Sequence, residues 1–151
     1  MNVRIYPDTS VFGGMLDLEF REPTSAFFAM VDRGDLAIVL SPVVEEEVVN
    51  APEAVRDLFA SVAVGAEWIS VTEEALALRD AYIEAGVLTQ KWSADALHVA
   101  LASVAGCDLI VSWNFRHIVH FQKVPKYNAV NILKGYGEVG IYTPQEVMTY
   151  E

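Results

Sequence analysis

Three acidic residues stand where packing does not call for them. Asp8 closes the short apolar run Val3-Arg4-Ile5-Tyr6-Pro7 and is followed by two hydroxyl residues, Thr9 and Ser10. Glu47 belongs to a segment that opens at Ser41-Pro42 and carries Glu45-Glu46-Glu47. Asp95 sits near the start of Ser93-Ala94-Asp95-Ala96-Leu97-His98, and the polar group Ser112-Trp113-Asn114-Phe115 follows a fourth apolar run. Carboxylates gathered in this way suit a hard divalent cation, Mg²⁺ or Mn²⁺, which takes a few carboxylate oxygens and retains several waters. Such an ion polarises a phosphoryl oxygen and lowers the pKa of a bound water that attacks phosphorus. Each acid also has a plainer reading. Asp95 favours a helix N-terminal dipole, the glutamates form a solvated helix face, and Asp8-Thr9-Ser10 makes an Asx-type turn.

The elements that must carry these residues alternate between short β-type runs and longer helical segments. Residues 3–6 read as a first strand that ends at Pro7, which has no N–H for a ladder bond. A Gly13-Gly14 break and an acidic loop follow, then a helix opening at Pro23 and closed by Gly34. Residues 36–40 read as the second strand, and Ser41 as the N-cap of a helix with Pro42 at its first position. Ala51-Pro52 restarts a helix through Val55, Leu58, Phe59 and Val62. Residues 68–71 read as a third strand, and Thr72 caps a helix ending at Gly86. A loop over 87–92 leads to a helix capped by Ser93 and stopped by Gly106. Residues 109–111 form an all-apolar fourth strand typical of a sheet covered on both faces. After a mixed stretch, Gly140-Ile141-Tyr142 reads as a fifth strand and Thr143-Pro144-Gln145-Glu146 as a capping box opening a last helix. One α/β domain over residues 1–151, with a parallel sheet of about five strands, follows from this pattern. Sites in such sheets form beyond the carboxyl ends of the strands, and Asp8, Glu47, Asp95 and the 112–115 loop all fall there.

Composition narrows the function. Hydrophobic residues make up 53% of the 151, enough for a proper core. No apolar run approaches the ~18 residues a membrane span needs, and no export signal is legible, so a cytoplasmic protein is expected. Cys107 is a single cysteine and reads as a small buried hydrophobe. The net charge of −11 argues against broad binding to nucleic acid, but leaves room for a local site where metal ions offset the field, and suits a basic protein partner. Arg116, His117, Lys123 and Lys126, interleaved with Phe121 and Tyr127, form the one dense basic stretch. It reads either as an ordinary surface loop or as a contact for single-stranded RNA. His98, on the helix face of Asp95, reads either as a ligand to a substrate phosphate or to Asp95, or as a half-buried histidine with a backbone partner.

Asp8-Thr9-Ser10-Val11, Ser41 with Glu47 six residues on, Asp95-Ala96-Leu97-His98-Val99-Ala100 and Val111-Ser112-Trp113-Asn114 together resemble the PIN domain family. The resemblance covers nearly the whole chain. It is nearest to members with Asp-Thr-Ser-Val before Gly-Gly and Trp-Asn-Phe-x-His after the fourth strand. That family consists of metal-dependent ribonucleases and includes VapC-type toxins. The resemblance implies an α/β/α sandwich, with Asp8, Glu47 and Asp95 as ligands of Mg²⁺ or Mn²⁺ and Ser10 as the hydroxyl beside the first aspartate. Asn114 stands where many members carry a fourth aspartate, so it would bind a metal-held water without adding charge. Arg116, His117 and His98 stay candidate substrate contacts on the readings given above. RNA, a basic antitoxin and a second copy of the chain become the expected partners. The alternative is a PIN-fold module that has lost strong metal binding and acts through protein contacts.

Overall fold

The computed structural model describes residues 3–148. Five parallel strands, β1 (Val3–Pro7), β2 (Leu36–Leu40), β3 (Glu67–Trp68), β4 (Leu109–Val111) and β5 (Gly140–Tyr142), form one sheet in the order β3-β2-β1-β4-β5. Among the described residues eight helices cover it: α1 (Thr9–Gly13), α2 (Arg21–Asp32), α3 (Pro42–Val48), α4 (Glu53–Ala63), α5 (Glu73–Glu84), α6 (Ser93–Val104), α7 (Lys123–Leu133) and α8 (Pro144–Met148). Consecutive residues Ile5 and Tyr6 of β1, Val39 and Leu40 of β2, and Ile110 and Val111 of β4 are all buried, so neither face of the central sheet meets water. The expected α/β sandwich around a five-stranded parallel sheet is the observed one.

The strand order fixes where a site can form. From β1 the chain winds outward through β2 to β3, then returns to the other side of β1 for β4 and β5. The winding therefore reverses between β1 and β4, and the loops leaving their carboxyl ends diverge there to leave a crevice. Asp8 and Ser112 are the first residues of those two loops.

Local signals account for most element ends. Ser41 Oγ accepts from the Val44 N–H with Pro42 at the first helical position, and Thr72 Oγ1 accepts from the Ala75 N–H. Thr143 and Glu146 exchange both bonds of a capping box, at 2.9 and 3.1 Å. Gly34, Gly86 and Gly106 end α2, α5 and α6 with φ of 81°, 79° and 70°, which side chains with a Cβ resist.

Several readings change. α2 opens at Arg21, two residues before Pro23, and the stretch after β4 contains the helix α7. Ser93 is the first helical residue rather than a cap, with Trp92 in the capping position and no side-chain bond to the helix. β3 is two residues long and sits one residue earlier than expected, because only Val39 and Leu40 of β2 are there to pair with it. Pro7 remains within β1, opposite Val111, and the Asp8 N–H continues the pairing to Val111 O at 3.1 Å. Gly13-Gly14 does not break the chain into loop: α1 runs through Gly13, and a 3₁₀ turn (Gly14–Leu16) continues it.

Gly14 has a steric reason. A Cβ there would lie 2.6 Å from Thr24 Oγ1 and 2.8 Å from Trp113 Nε1, which are hydrogen-bonded to each other at 2.9 Å. That bond ties the loop after β4 to α2, and Phe20 stacks on the same indole at 4.2 Å. Gly14→Ala should therefore destabilise by about 1–3 kcal/mol in a urea titration. Gly13→Ala, whose Cβ meets nothing within 4 Å, should be neutral or slightly stabilising. Equal effects at the two positions would show that the Thr24–Trp113 brace is not what excludes a methyl group at Gly14.

Candidate functional site

Asp8 is the residue at which β1 hands over to α1, and it is only 4% exposed. Its Oδ1 accepts from Ser10 Oγ at 2.6 Å. Ser10 Oγ also accepts the Trp113 N–H at 2.9 Å and lies 3.4 Å from Ser112 Oγ. Ser112 in turn accepts the Asn114 N–H at 2.9 Å. Two serines thus stitch the loop after β1 to the loop after β4 and hold Asp8 in one orientation. Burial pushes the Asp8 carboxyl up to about 6, against the opposing pull of His98 and the Ser10 and Ser112 hydroxyls, and Asp95 adds repulsion.

Glu47 is reached by a second chain of contacts. Of the three consecutive glutamates, it is Glu47 whose Oε1 accepts from both Thr9 Oγ1 and His98 Nε2, the latter at 2.8 Å. The other His98 nitrogen, Nδ1, is 2.7 Å from the Tyr6 hydroxyl, which is 2.9 Å from Ser41 Oγ. With His98 neutral a consistent proton order runs from Ser41 through Tyr6 to Nδ1, with Nε2–H donating to Glu47; with His98 protonated, Nδ1–H donates to Tyr6 instead. Tyr6, Ser41 and His98 are all buried, so this relay is a fixed post that holds a half-exposed carboxylate at the sheet's edge. Glu47 Oε2 makes no hydrogen bond among the described residues. Burial raises the Glu47 pKa, but the His98 bond and charge and the Thr9 bond prevail and leave it below its ordinary value. Burial lowers that of His98, yet the Glu47 bond and the charges of Asp8, Glu47 and Asp95 leave it raised.

Asp95 is half-buried in the first turn of α6 and acts electrostatically on Asp8, His98, His117 and Tyr127. The charges of all three acids therefore act on one histidine, and Glu47 is the one bonded to it. Among the described residues no three His, Cys, Asp or Glu side chains close into a ready cage for a metal. The donor set, with two carboxylates beside a crevice and a third offering one free oxygen, fits a hard cation that keeps most of its waters. A buried carboxyl whose nearest bonded partner is a hydroxyl also fits, since a cation would offset its burial.

Asn114 organises its loop. Its side-chain oxygen accepts the His117 N–H at 2.9 Å, and its carbonyl accepts from Ile118 and Val119. The basic stretch separates into different roles. Tyr127 is fully buried and donates to His117 O at 2.6 Å, and Lys123 Nζ donates to Val87 O at 2.8 Å. Neither serves as a surface contact, whereas Arg116 and the ring of His117 come to lie against Trp92. His98 has side-chain partners on both nitrogens in place of a backbone one. The sequence marks Thr9 and Ser112 only as polar residues beside an acid and a strand end, and gives Tyr6 no role. A tyrosine in a buried strand, and hydroxyls flanking an acid or a strand end, are the signals that could have found them.

No protein-family model matches the sequence, and no curated protein matches it. Among solved structures, the chain superposes with a TM-score of 0.58 on a chain of VapBC2 from Rickettsia felis, crystallised bound to a DNA fragment from the promoter. The two share 11% identity over 93% of this chain and 98% of that one. At that identity the likeness is one of fold, and the PIN-like α/β fold is the fold of this chain.

Proposed function

We propose that this protein is a Mg²⁺- or Mn²⁺-dependent endoribonuclease of the PIN type, and the toxin of a toxin–antitoxin pair. The observation that carries the reading is Asp8, a carboxylate buried at the reversal point of a parallel sheet with Asp95 and Glu47 around it. Burial of a carboxylate is unfavourable unless a charge or a function compensates. A bound cation would polarise the phosphodiester and supply a water of lowered pKa. Asp8 and Asp95 would hold it, Glu47 would reach it directly or through water with its free oxygen, and Ser10 and Ser112 would fix the Asp8 carboxylate. Asn114 would set the path of the loop bordering the site. The fold shared with a VapBC2 chain and the net charge of −11 support a basic protein partner, which co-purification with the product of an adjacent reading frame would reveal.

Incubating single-stranded RNA with Mn²⁺ and either the wild type or Asp8→Ala tests the catalytic reading. Cleavage by the wild type should fall at least a hundredfold in the variant, the scale of losing one charge-stabilising group. Equal cleavage by both would end it. A second reading, a binding module without hydrolysis, is favoured by the use of the Asn114 side-chain oxygen as a backbone cap. Calorimetric titration with Mg²⁺ separates the two: no heat at millimolar ion supports the module.

A further inference from the structure

Trp113 is hydrogen-bonded at both ends. Its backbone N–H donates to Ser10 Oγ at 2.9 Å, and its indole Nε1–H donates to Thr24 Oγ1, also at 2.9 Å. The first bond lies within the candidate site, and the second lies in the packing of α2 against the loop after β4. The backbone bond decides what Ser10 does. A hydroxyl has one proton to give, and with the Trp113 N–H on the oxygen that proton goes to Asp8 Oδ1 at 2.6 Å. Ser112 Oγ, at 3.4 Å, is the more distant acceptor. The path of the Trp113 backbone therefore sets the orientation of the Asp8 carboxylate through one intervening side chain.

Thr24 is where that path is fixed. The buried residues of α2 are Thr24, Phe27, Phe28 and Met30, and Thr24 is the one hydroxyl among them. Valine has the same shape and would fill that place with no hydroxyl to desolvate. The hydroxyl instead meets the indole N–H, which would otherwise be buried without an acceptor. Two further residues hold the same ring. Phe20 stacks on it with planes 17° apart, and Gly14 leaves open the space that a Cβ would take from Thr24 Oγ1 and Trp113 Nε1. Positions 14, 20 and 24 thus agree on one place for the Trp113 indole.

We propose that Thr24 is a positioning residue for phosphodiester hydrolysis, acting through Trp113 and Ser10 on Asp8. It touches neither cation nor substrate. With the indole pinned, Ser10 directs its proton to Asp8 and the carboxylate presents a single orientation. With the pin removed, the 112–114 backbone is free to shift, and a misplacement of ~1 Å at a reacting centre costs about a hundredfold in rate. This inference rests on the ribonuclease reading and extends it to a side chain outside the carboxylate cluster.

The test compares Thr24→Val, Thr24→Ser and Thr72→Ala with the wild type in steady-state RNA cleavage with Mn²⁺ and in calorimetric titration with Mn²⁺. Thr24→Val should lower kcat roughly tenfold to a hundredfold and leave KM within about twofold, because substrate contacts are untouched. It should also weaken Mn²⁺ binding about tenfold or more, the scale for groups that orient metal-binding carboxylates. Thr24→Ser keeps the acceptor and should recover most of both losses. Thr72→Ala removes the hydroxyl that caps α5 and that bonds neither loop of the site. It should lower thermal stability, as Thr24→Val does, yet keep the wild-type kcat and Mn²⁺ affinity. A folded Thr24→Val variant with wild-type kcat and Mn²⁺ affinity overturns the inference. So does a Thr24→Ser variant no better than Thr24→Val, or an equal loss in Thr72→Ala, which would trace the effect to stability alone. Should Thr24→Val fail to fold, Trp113→Phe, which removes the indole N–H and keeps a ring for Phe20, must show the same two losses or the inference falls. If the wild type binds Mn²⁺ without cleaving RNA, the ribonuclease reading fails and the calorimetric comparison still decides the role of Thr24. A wild type that neither cleaves RNA nor binds Mn²⁺ overturns both.

Discussion

Asp8→Asn should unfold at higher denaturant than the wild type when both are stripped of divalent ions at pH 8. The carboxyl is moved from its ordinary 3.8 to about 6, chiefly by burial. Its folded pKa lies above its unfolded one, so the protonated form is favoured in the folded state. The cost is absent below pH 3.8, grows between 3.8 and 6, and is complete above 6, where it amounts to about 3 kcal/mol. The amide keeps an oxygen for the Ser10 hydroxyl and carries no charge to desolvate. A gain of about 2–3 kcal/mol at pH 8, shrinking to nothing near pH 4, is the expected pattern in urea titrations. Saturating Mn²⁺ should then stabilise the wild type and not the variant, because only a protein that binds the ion gains from it. A variant no more stable than the wild type at pH 8 would mean that Asp8 carries no burial cost for a cation to relieve. The expectation couples stability to activity in opposite directions at one atom, the usual mark of a functional group held against its preference.

Removing the imidazole of His98 should be costly in both respects. His98→Ala leaves the Tyr6 hydroxyl with Ser41 alone, Glu47 with Thr9 alone and a cavity between them, so a loss of about 3–5 kcal/mol is expected in the same titrations. Cleavage at saturating Mn²⁺ should fall roughly tenfold to a hundredfold, the range for partners that orient metal-binding carboxylates. Tyr6→Phe, which removes only the hydroxyl between Ser41 and His98, should cost about 1–3 kcal/mol. The folded pKa of His98 is raised above its ordinary 6.5, although burial by itself lowers it. The stability drawn from its charge is therefore complete below pH 6.5 and lost as pH rises through the raised value. The gap between the wild type and His98→Ala should narrow accordingly on the alkaline side. A gap of constant width would mean that His98 serves Glu47 as a neutral spacer.

Much of this fold was legible because its signals are local. The capping residues Ser41, Thr72 and Thr143, the glycines that stop α2, α5 and α6, and the apolar runs of β1, β2 and β4 each act within a few residues. α7 was hidden for the opposite reason. Its buried face carries Tyr127 and Asn131, whose polar atoms are met by His117, Tyr82 and Ser103 from distant segments, so the helix lacks a clean apolar stripe. β3 was overread because Trp68, Ile69 and Val71 are apolar while only Glu67 and Trp68 pair with β2. The acids of the site were visible as polar residues at strand ends and helix starts. Ser10 and His98 were visible as neighbours of Asp8 and Asp95, but their partners were not, since nothing in the spacing of Tyr6, Thr9 and Ser112 shows that the fold brings them to His98, Glu47 and Ser10.

The central position of β1 also sets the order in which this molecule can come alive during synthesis. The first strand made must wait for its fourth, since Arg4 and the Asp108 side chain it binds are 104 positions apart. At ~5–20 residues per second a ribosome needs roughly 5–20 s to make that stretch. Until Ser112 and Trp113 emerge, Ser10 has no second loop to bind, and the Asp8 carboxylate lies at an open sheet edge in water. Fragments ending before β4 should therefore lack the RNA cleavage proposed above, because neither Ser10 nor Asp8 is yet held by the second loop.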